Sequence, residues 1–278
     1  MTVIQGGVVI QEGVPRSVNP FGKTREVRND EVIQTAITAA AASDAIYVEG
    51  KQNADFAEAL TITKSNLTLA GIGGRGSVSV APGGNGVALT VDGTAARRGN
   101  ITLINLGLEG AGTGGGLLVK GNIRRLRFYG CKFEGGAFAV KLESTGADPL
   151  TVGDVIFEDC EFAWSQRLLD LVVSGAGDPV TNVQLKRCLL HNMSIDGIRA
   201  ATVHATGFQM SDCVMDREED GTAPTGKYID LAVAGSSGII TRNSLPHATN
   251  ASAVFSIAAG ILWVGNYTEA GVTAARPS

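Results

Sequence analysis

The chain has 278 residues, a formal net charge of −4, 44% hydrophobic, 5% aromatic and 18% charged residues, and 37 glycines. That is enough apolar material for a sizeable core, and few aromatics with much glycine favour many short strands joined by tight turns. Basic residues dispersed along an acidic chain exclude a surface built to neutralise nucleic-acid phosphates, and no apolar run reaches membrane-spanning length.

Residues 1 to about 22 are rich in Val, Gly and Pro. They show no basic stretch followed by an apolar run, so no signal peptide is expected and synthesis in the cytoplasm is. This arm is either an attachment segment or a strand or loop lying along the wall of the downstream fold. Over 23–44 the spacing predicts an amphipathic helix with Val32, Ile33, Ala36, Ile37 and Ala40 on one face and Asn29 or Asp30 as its cap. Its expected role is to plug the open end of a core.

The next segment, 45–268, carries a repeat that the cysteines reveal. Cys131, Cys160, Cys188 and Cys213 are 29, 28 and 25 residues apart, neither metal-ligand spacing nor a compact disulfide framework. Each lies in one pattern, apolar at positions 1, 3, 6 and 8: Leu126 to Phe133, Val155 to Phe162, Val183 to Leu190 and Phe208 to Met215. Extended outward, the template finds copies at Leu67, Ile101, Ile239 and Ile261. The resulting period of 22 to 34 residues is that of a solenoid, in which each unit buries its apolar face against the next.

Position 5 reads Gly71, Asn105, Gly130, Asp159, Arg187, Asp212, Asn243 and Gly265. Gly, Asn and Asp accept the left-handed backbone, so each copy is a strand, a one-residue bend and a second strand. Further β-like runs, such as Leu168 to Val173 and Ile229 to Val233, bring the total to about three strands per coil. The expected fold is all-β: a right-handed parallel β-helix of about eight rungs with an N-terminal capping helix, followed by a short tail, 269–278. Position 6 would form an inward ladder of Ile72, Leu106, Cys131, Cys160, Cys188 and Cys213, the cysteines as free thiols.

The succession of helix, Ala45-Ile-Tyr-Val-Glu-Gly50 and Leu60-Thr-Ile-Thr-Lys-Ser-Asn-Leu-Thr-Leu-Ala-Gly71 resembles the opening of the pectate-lyase-like β-helix superfamily. The rungs continue the resemblance to about residue 268. The superfamily includes polysaccharide lyases and hydrolases, usually monomeric, and bacteriophage tailspikes, fibres and other virion proteins, usually trimeric. The resemblance therefore implies fold more than activity.

Glycan cleavage calls for two carboxylates on one outer face, or acids holding calcium beside a base. The candidates are Asp154, Glu158 and Glu161, and the acidic run Asp216, Glu218, Glu219 and Asp220; ordinary solvated loops and a bend structure account for them as well. No histidine among His191, His204 and His247 has an evident carboxylate partner, Arg97-Arg98 reads as a solvated loop, and no metal or cofactor is implied. The outward positions turn apolar toward the C-terminus, where Leu189, Val214, Ile240, Leu245 and Leu262 predict an interface between subunits. The first expectation is a non-enzymatic virion structural protein, a rigid homotrimer docking on capsid or tail proteins and meeting a cell-surface glycan, with no nucleic-acid or membrane partner. The alternative is a polysaccharide lyase or glycoside hydrolase using an outer groove.

Overall fold

The computed structural model describes residues 22–51, 54–146, 151–175, 179–200, 203–216, 224–246, 255–268 and 276–277, together with the backbone of three N-terminal strands. Those strands, Val3–Gln5, Val8–Gln11 and Val14–Ser17, pair antiparallel with one another. From Thr24–Val27 onward the strands pair parallel from coil to coil, which makes the chain a parallel β-helix. One wall stacks eight short strands, from Val78–Val80 through Lys132–Glu134 to Tyr267–Thr268.

The template positions become ladders because parallel strands in register set equal positions one above another. Position 3 gives Leu69, Leu103, Phe128, Phe157, Leu185, Met210 and Ile240 in unbroken register. All seven are fully buried. Phe128 and Phe157 stack at 4.7 Å and 10°, and Phe133 meets both edge-on, so the mid-solenoid core is aromatic.

The predicted bend is a column of left-handed residues: Asn105, Gly130, Asp159, Arg187, Asp212, Arg242 and Gly265, all with φ between 51° and 61°. Two template copies are corrected. The strand Leu67–Ile72 runs straight through Gly71, and the chain returns to the wall at Val78, which pairs with Leu106. Ile72 is therefore outside the ladder, half-buried on the outer face against Ala70 and Tyr47. In the copy containing Ile239 the bend is Arg242, not Asn243, so that rung is displaced by one residue and every side chain changes face. A second left-handed column, Asn66, Asn100, Arg125, Asp154, Asn182 and Gly207, turns another corner and has no counterpart in the template.

The helix is shorter than expected, Ile33–Ala39, and Thr24–Val27 before it is a strand. Ile33, Ile37 and Ala40 join the core of the first coil, whereas Val32 is 55% exposed. Neither Asn29 nor Asp30 caps it: the Glu58 carboxylate, 25 residues on, accepts the Ile33 and Gln34 N–H groups at 2.9 and 3.0 Å. Below it, Asp44 is 2% exposed and accepts from Lys23 N, Ala41 N and Arg25 Nε at 2.9 to 3.0 Å. Burial pushes this carboxyl's pKa up, but the two backbone donors and the guanidinium outweigh it and hold the value below the ordinary 3.8.

Candidate functional site

On the outer face of Phe138–Gly146, Ser165–Gly175, Met193–Ala200 and Ile229–Leu231, one column reads Lys141, Asp170, Arg199 and Asp230. Beside it Arg167 faces Asp196. Arg199 holds Asp170 with two hydrogen bonds, Nε to Oδ1 at 2.9 Å and Nη2 to Oδ2 at 3.0 Å, and its Nε is 3.9 Å from Asp196 Oδ2. Arg167 Nε donates to the same Asp196 oxygen at 3.3 Å, and Lys227 N–H donates to Asp196 Oδ1 at 3.1 Å. Sharing one Nε as neighbour, the two carboxylate oxygens are at most about 7 Å apart, close enough to act on one bound group.

Asp170 and Asp196 are only 5% and 7% exposed, so their charges depend on these partners. Two glycines make the enclosure of Asp196 possible. A Cβ on Gly226 would lie 2.1 Å from Asp196 Oδ1, and one on Gly197 would lie 2.4 Å from the Tyr228 carbonyl oxygen. The segment 224–228 can close over the carboxylate only because both side chains are absent.

The residues expected from sequence are not brought to one place. Asp154 sits at a left-handed corner, 4.0 Å from Arg124 and accepting from Asn182 at 2.9 Å. Glu158 and Asp159 both bind Arg187, at 2.6 and 2.9 Å, and Asp212 binds Arg242 through two bonds of 2.7 and 2.8 Å. The bend column thus alternates Asp, Arg, Asp, Arg, an ion-paired ladder at the surface. Arg242 beside Asp212 lowers that carboxyl's pKa, and Asp159, then Glu158, raise that of Arg187. Glu161 binds His191 Nε2 at 3.2 Å and lies 3.7 Å from Arg75, so the expectation that no histidine has a carboxylate partner is corrected. Next to this pair Trp164 is 52% exposed, its ring 6.5 Å from that of His191. Asp216 is exposed; Glu218, Glu219, Asp220 and His247 lie outside the described residues.

Asp170 and Asp196 escaped the sequence reading because the template was anchored on the bend, whereas they belong to the next wall. The signal was present as Asp170 and Arg199, 29 residues apart and one repeat from each other.

Of the residues expected at an interface, Val214 and Leu262 are 45% and 56% exposed and Leu189 is half-buried. Ile240 and Leu245 are fully buried, which corrects the expectation: the one-residue displacement at Arg242 turns both inward. Val264 and Tyr267 extend the exposed apolar surface instead. Leu106 and the four cysteines form the inward ladder as expected, and all four thiols are free. Burial raises the pKa of Cys160 and Cys188; the neighbouring Cys188, then burial, raises that of Cys213. Among the described residues no helix is long and apolar enough to cross a membrane.

No protein-family model matches the chain, and no curated protein matches it in sequence. Solved structures do. A pectin methylesterase from Aspergillus niger is 18% identical with a TM-score of 0.58, covering 94% of this chain and 90% of its own. Carrot pectin methylesterase is 13% identical with a TM-score of 0.58, covering 91% and 85%. Pectate lyase Pel9A is 9% identical with a TM-score of 0.55, covering 91% and 78%. At these identities the likeness establishes the fold, a right-handed parallel β-solenoid, and nothing in it links the chain to a bacteriophage.

Proposed function

We propose that this protein is an enzyme acting on a pectin-type polysaccharide, with Asp170 and Asp196 as its working carboxylates and Arg199 as the residue that positions both. The fold likeness to pectin-processing enzymes favours this reading over a virion rod. The observation that carries it is the convergence of two nearly buried carboxylates from adjacent rungs on one guanidinium. Two neighbouring carboxylates supply what ester or glycosidic hydrolysis by acid–base chemistry requires: one to activate a nucleophile or attack, the other to return a proton to the leaving oxygen. Arg167 and Arg199 remain about a quarter exposed, at 23% and 25%, and present positive charge to a uronate chain.

The test is incubation with methyl-esterified pectin and with polygalacturonate, following methanol release and the appearance of new chain ends. Asp170→Asn and Asp196→Asn should each lower the rate by about 100-fold or more with β-type circular dichroism unchanged. Arg187→Gln, in the surface ladder, should retain the rate. A wild-type chain no faster than the double Asn variant on either polymer would refute the reading.

A further inference from the structure

At the second corner, four arginines from two adjacent rungs, Arg97, Arg98, Arg124 and Arg125, line an open pocket of about 290 Å3 together with Asn66 and Gly99. The sequence reading of Arg97-Arg98 as a solvated loop is thereby corrected: Arg98 lies within the strand Leu89–Ile104, in register with Ile123. The volume corresponds to roughly ten waters, at the small end of ligand pockets. It suits one sugar ring with its acidic group.

The charge here is not balanced. Arg124 has one carboxylate, Asp154 at 4.0 Å, and otherwise donates to the Thr151 and Thr181 hydroxyls. Among the described residues, Arg97, Arg98 and Arg125 take part in no ion pair, unlike Arg124. The buried Nε of Arg98 has no hydrogen-bond partner among the described residues, and a buried donor left unpaired is costly. The other corner supplies the comparison. Arg187 and Arg242 occupy left-handed positions there, φ 51° and 54°, and each is matched by an aspartate. Arg125 occupies the same kind of position, φ 60°, in a column whose preceding members are Asn66 and Asn100, joined by a 2.8 Å hydrogen bond. An unbranched arginine is disfavoured in that conformation relative to asparagine. Here it adds a charge that no carboxylate of the described chain meets.

The close stacking of these rungs depends on Gly99, where a Cβ would lie 2.5 Å from the Arg124 carbonyl oxygen. The backbone that carries the four arginines is therefore closely stacked at this corner.

We propose that this pocket binds the carboxylate of an acidic sugar, as an anchoring subsite away from the Asp170–Asp196 pair. The inference deepens the proposed function by giving the enzyme a preference for uronate-containing chains, and it rests on that reading for its choice of ligand. Guanidinium groups suit planar carboxylates because their paired N–H donors match the two oxygens.

The experiment is equilibrium titration of the full chain, by calorimetry at low salt, with trigalacturonate, neutral maltotriose and inorganic sulfate. Binding is read on the full chain carrying Asp170→Asn and Asp196→Asn, which suppress turnover, so binding together with a wild type that releases no product would fail the catalytic reading alone. The expected result is that trigalacturonate binds, weakens with added salt, and loses at least tenfold in affinity in Arg97→Gln/Arg125→Gln, while Arg187→Gln binds as wild type. Both variants change exposed side chains, and their circular dichroism should be that of the wild type. Binding of maltotriose as tight as that of trigalacturonate, binding of sulfate alone, or a double Gln variant that binds trigalacturonate normally would each overturn the proposal.

Discussion

Asn243 Nδ2 donates to Asn266 Oδ1 at 2.9 Å, and both side chains are completely buried. They continue the inward ladder of Leu106, Cys131, Cys160, Cys188 and Cys213. In four rungs the side chain after the bend reaches the carbonyl of position 3 in the rung below. The Cys160 and Cys188 thiols lie between Phe128 O and Phe157 O of the rung below, at 3.5 Å each, and Glu158 O and Lys186 O of their own rungs, at 3.4 Å each, while Asn243 and Asn266 donate their amides to Met210 O and Ile240 O at 3.1 and 3.0 Å. A thiol or an amide fits this column and brings a donor to that carbonyl, whereas Leu106 fills it by packing alone.

Asn243 also accepts the Cys213 N–H at 2.9 Å. Asn243→Ala leaves that donor, the Met210 carbonyl and the Asn266 oxygen short of partners in a dry core, at about 1 to 3 kcal/mol for each group left unsatisfied. The expected result of urea unfolding is a loss of about 3 kcal/mol or more. A change below about 1 kcal/mol would show that water replaces the amide.

Leu245 and Leu262 separate core from surface in the last rungs. Leu245→Glu places an unpaired charge at a site with no exposure and should cost more than about 3 kcal/mol. Leu262→Glu, at 56% exposure, should leave stability within about 0.5 kcal/mol. If Val214 and Leu262 close a homotrimer, light scattering on Leu262→Glu should fall toward the 28.7 kDa monomer; an unchanged mass removes this surface from any assembly.

Gly226 lets Asp196 sit beneath its covering segment. Gly226→Ala forces a Cβ within 2.1 Å of the carboxylate oxygen, so the rate on pectin should fall by about tenfold or more, since a displacement of about 1 Å in a reacting group costs up to ~100-fold. Ser194→Ala, on the same strand but acting on the segment through its backbone oxygen, should not change it. Equal rates for wild type and Gly226→Ala would separate Asp196 from the reaction.

Asp44 ties the capping helix to the first coil, and its pKa is lowered in the fold. A lowered carboxyl contributes fully above the ordinary value of 3.8 and loses that contribution as pH falls through the folded value. Asp44→Asn should therefore be less stable than wild type at pH 7, by about 1 to 3 kcal/mol given charge-assisted bonds, and the two should converge in acid below pH 3.8. A difference independent of pH would mean that shape, not charge, holds the helix.

The repeat, the left-handed bend and the inward cysteines were legible in the 278 residues themselves, because a side chain that must alternate in and out of a stacked wall leaves a period that needs no partner to be seen. The parallel β-helix follows from that local rule. The candidate site does not. Asp170 and Asp196 both reach Arg199, and Arg98 and Arg125 line one pocket, only because successive coils of unequal length return to the same height, and a loop that gains or loses one residue moves the register. The same cause turned Ile240 and Leu245 inward: Arg242, an arginine in the bend where Gly, Asn or Asp was expected, shifted one rung by a single residue. Alternation is written in the chain, but which coil's charge lies above which is decided by the winding.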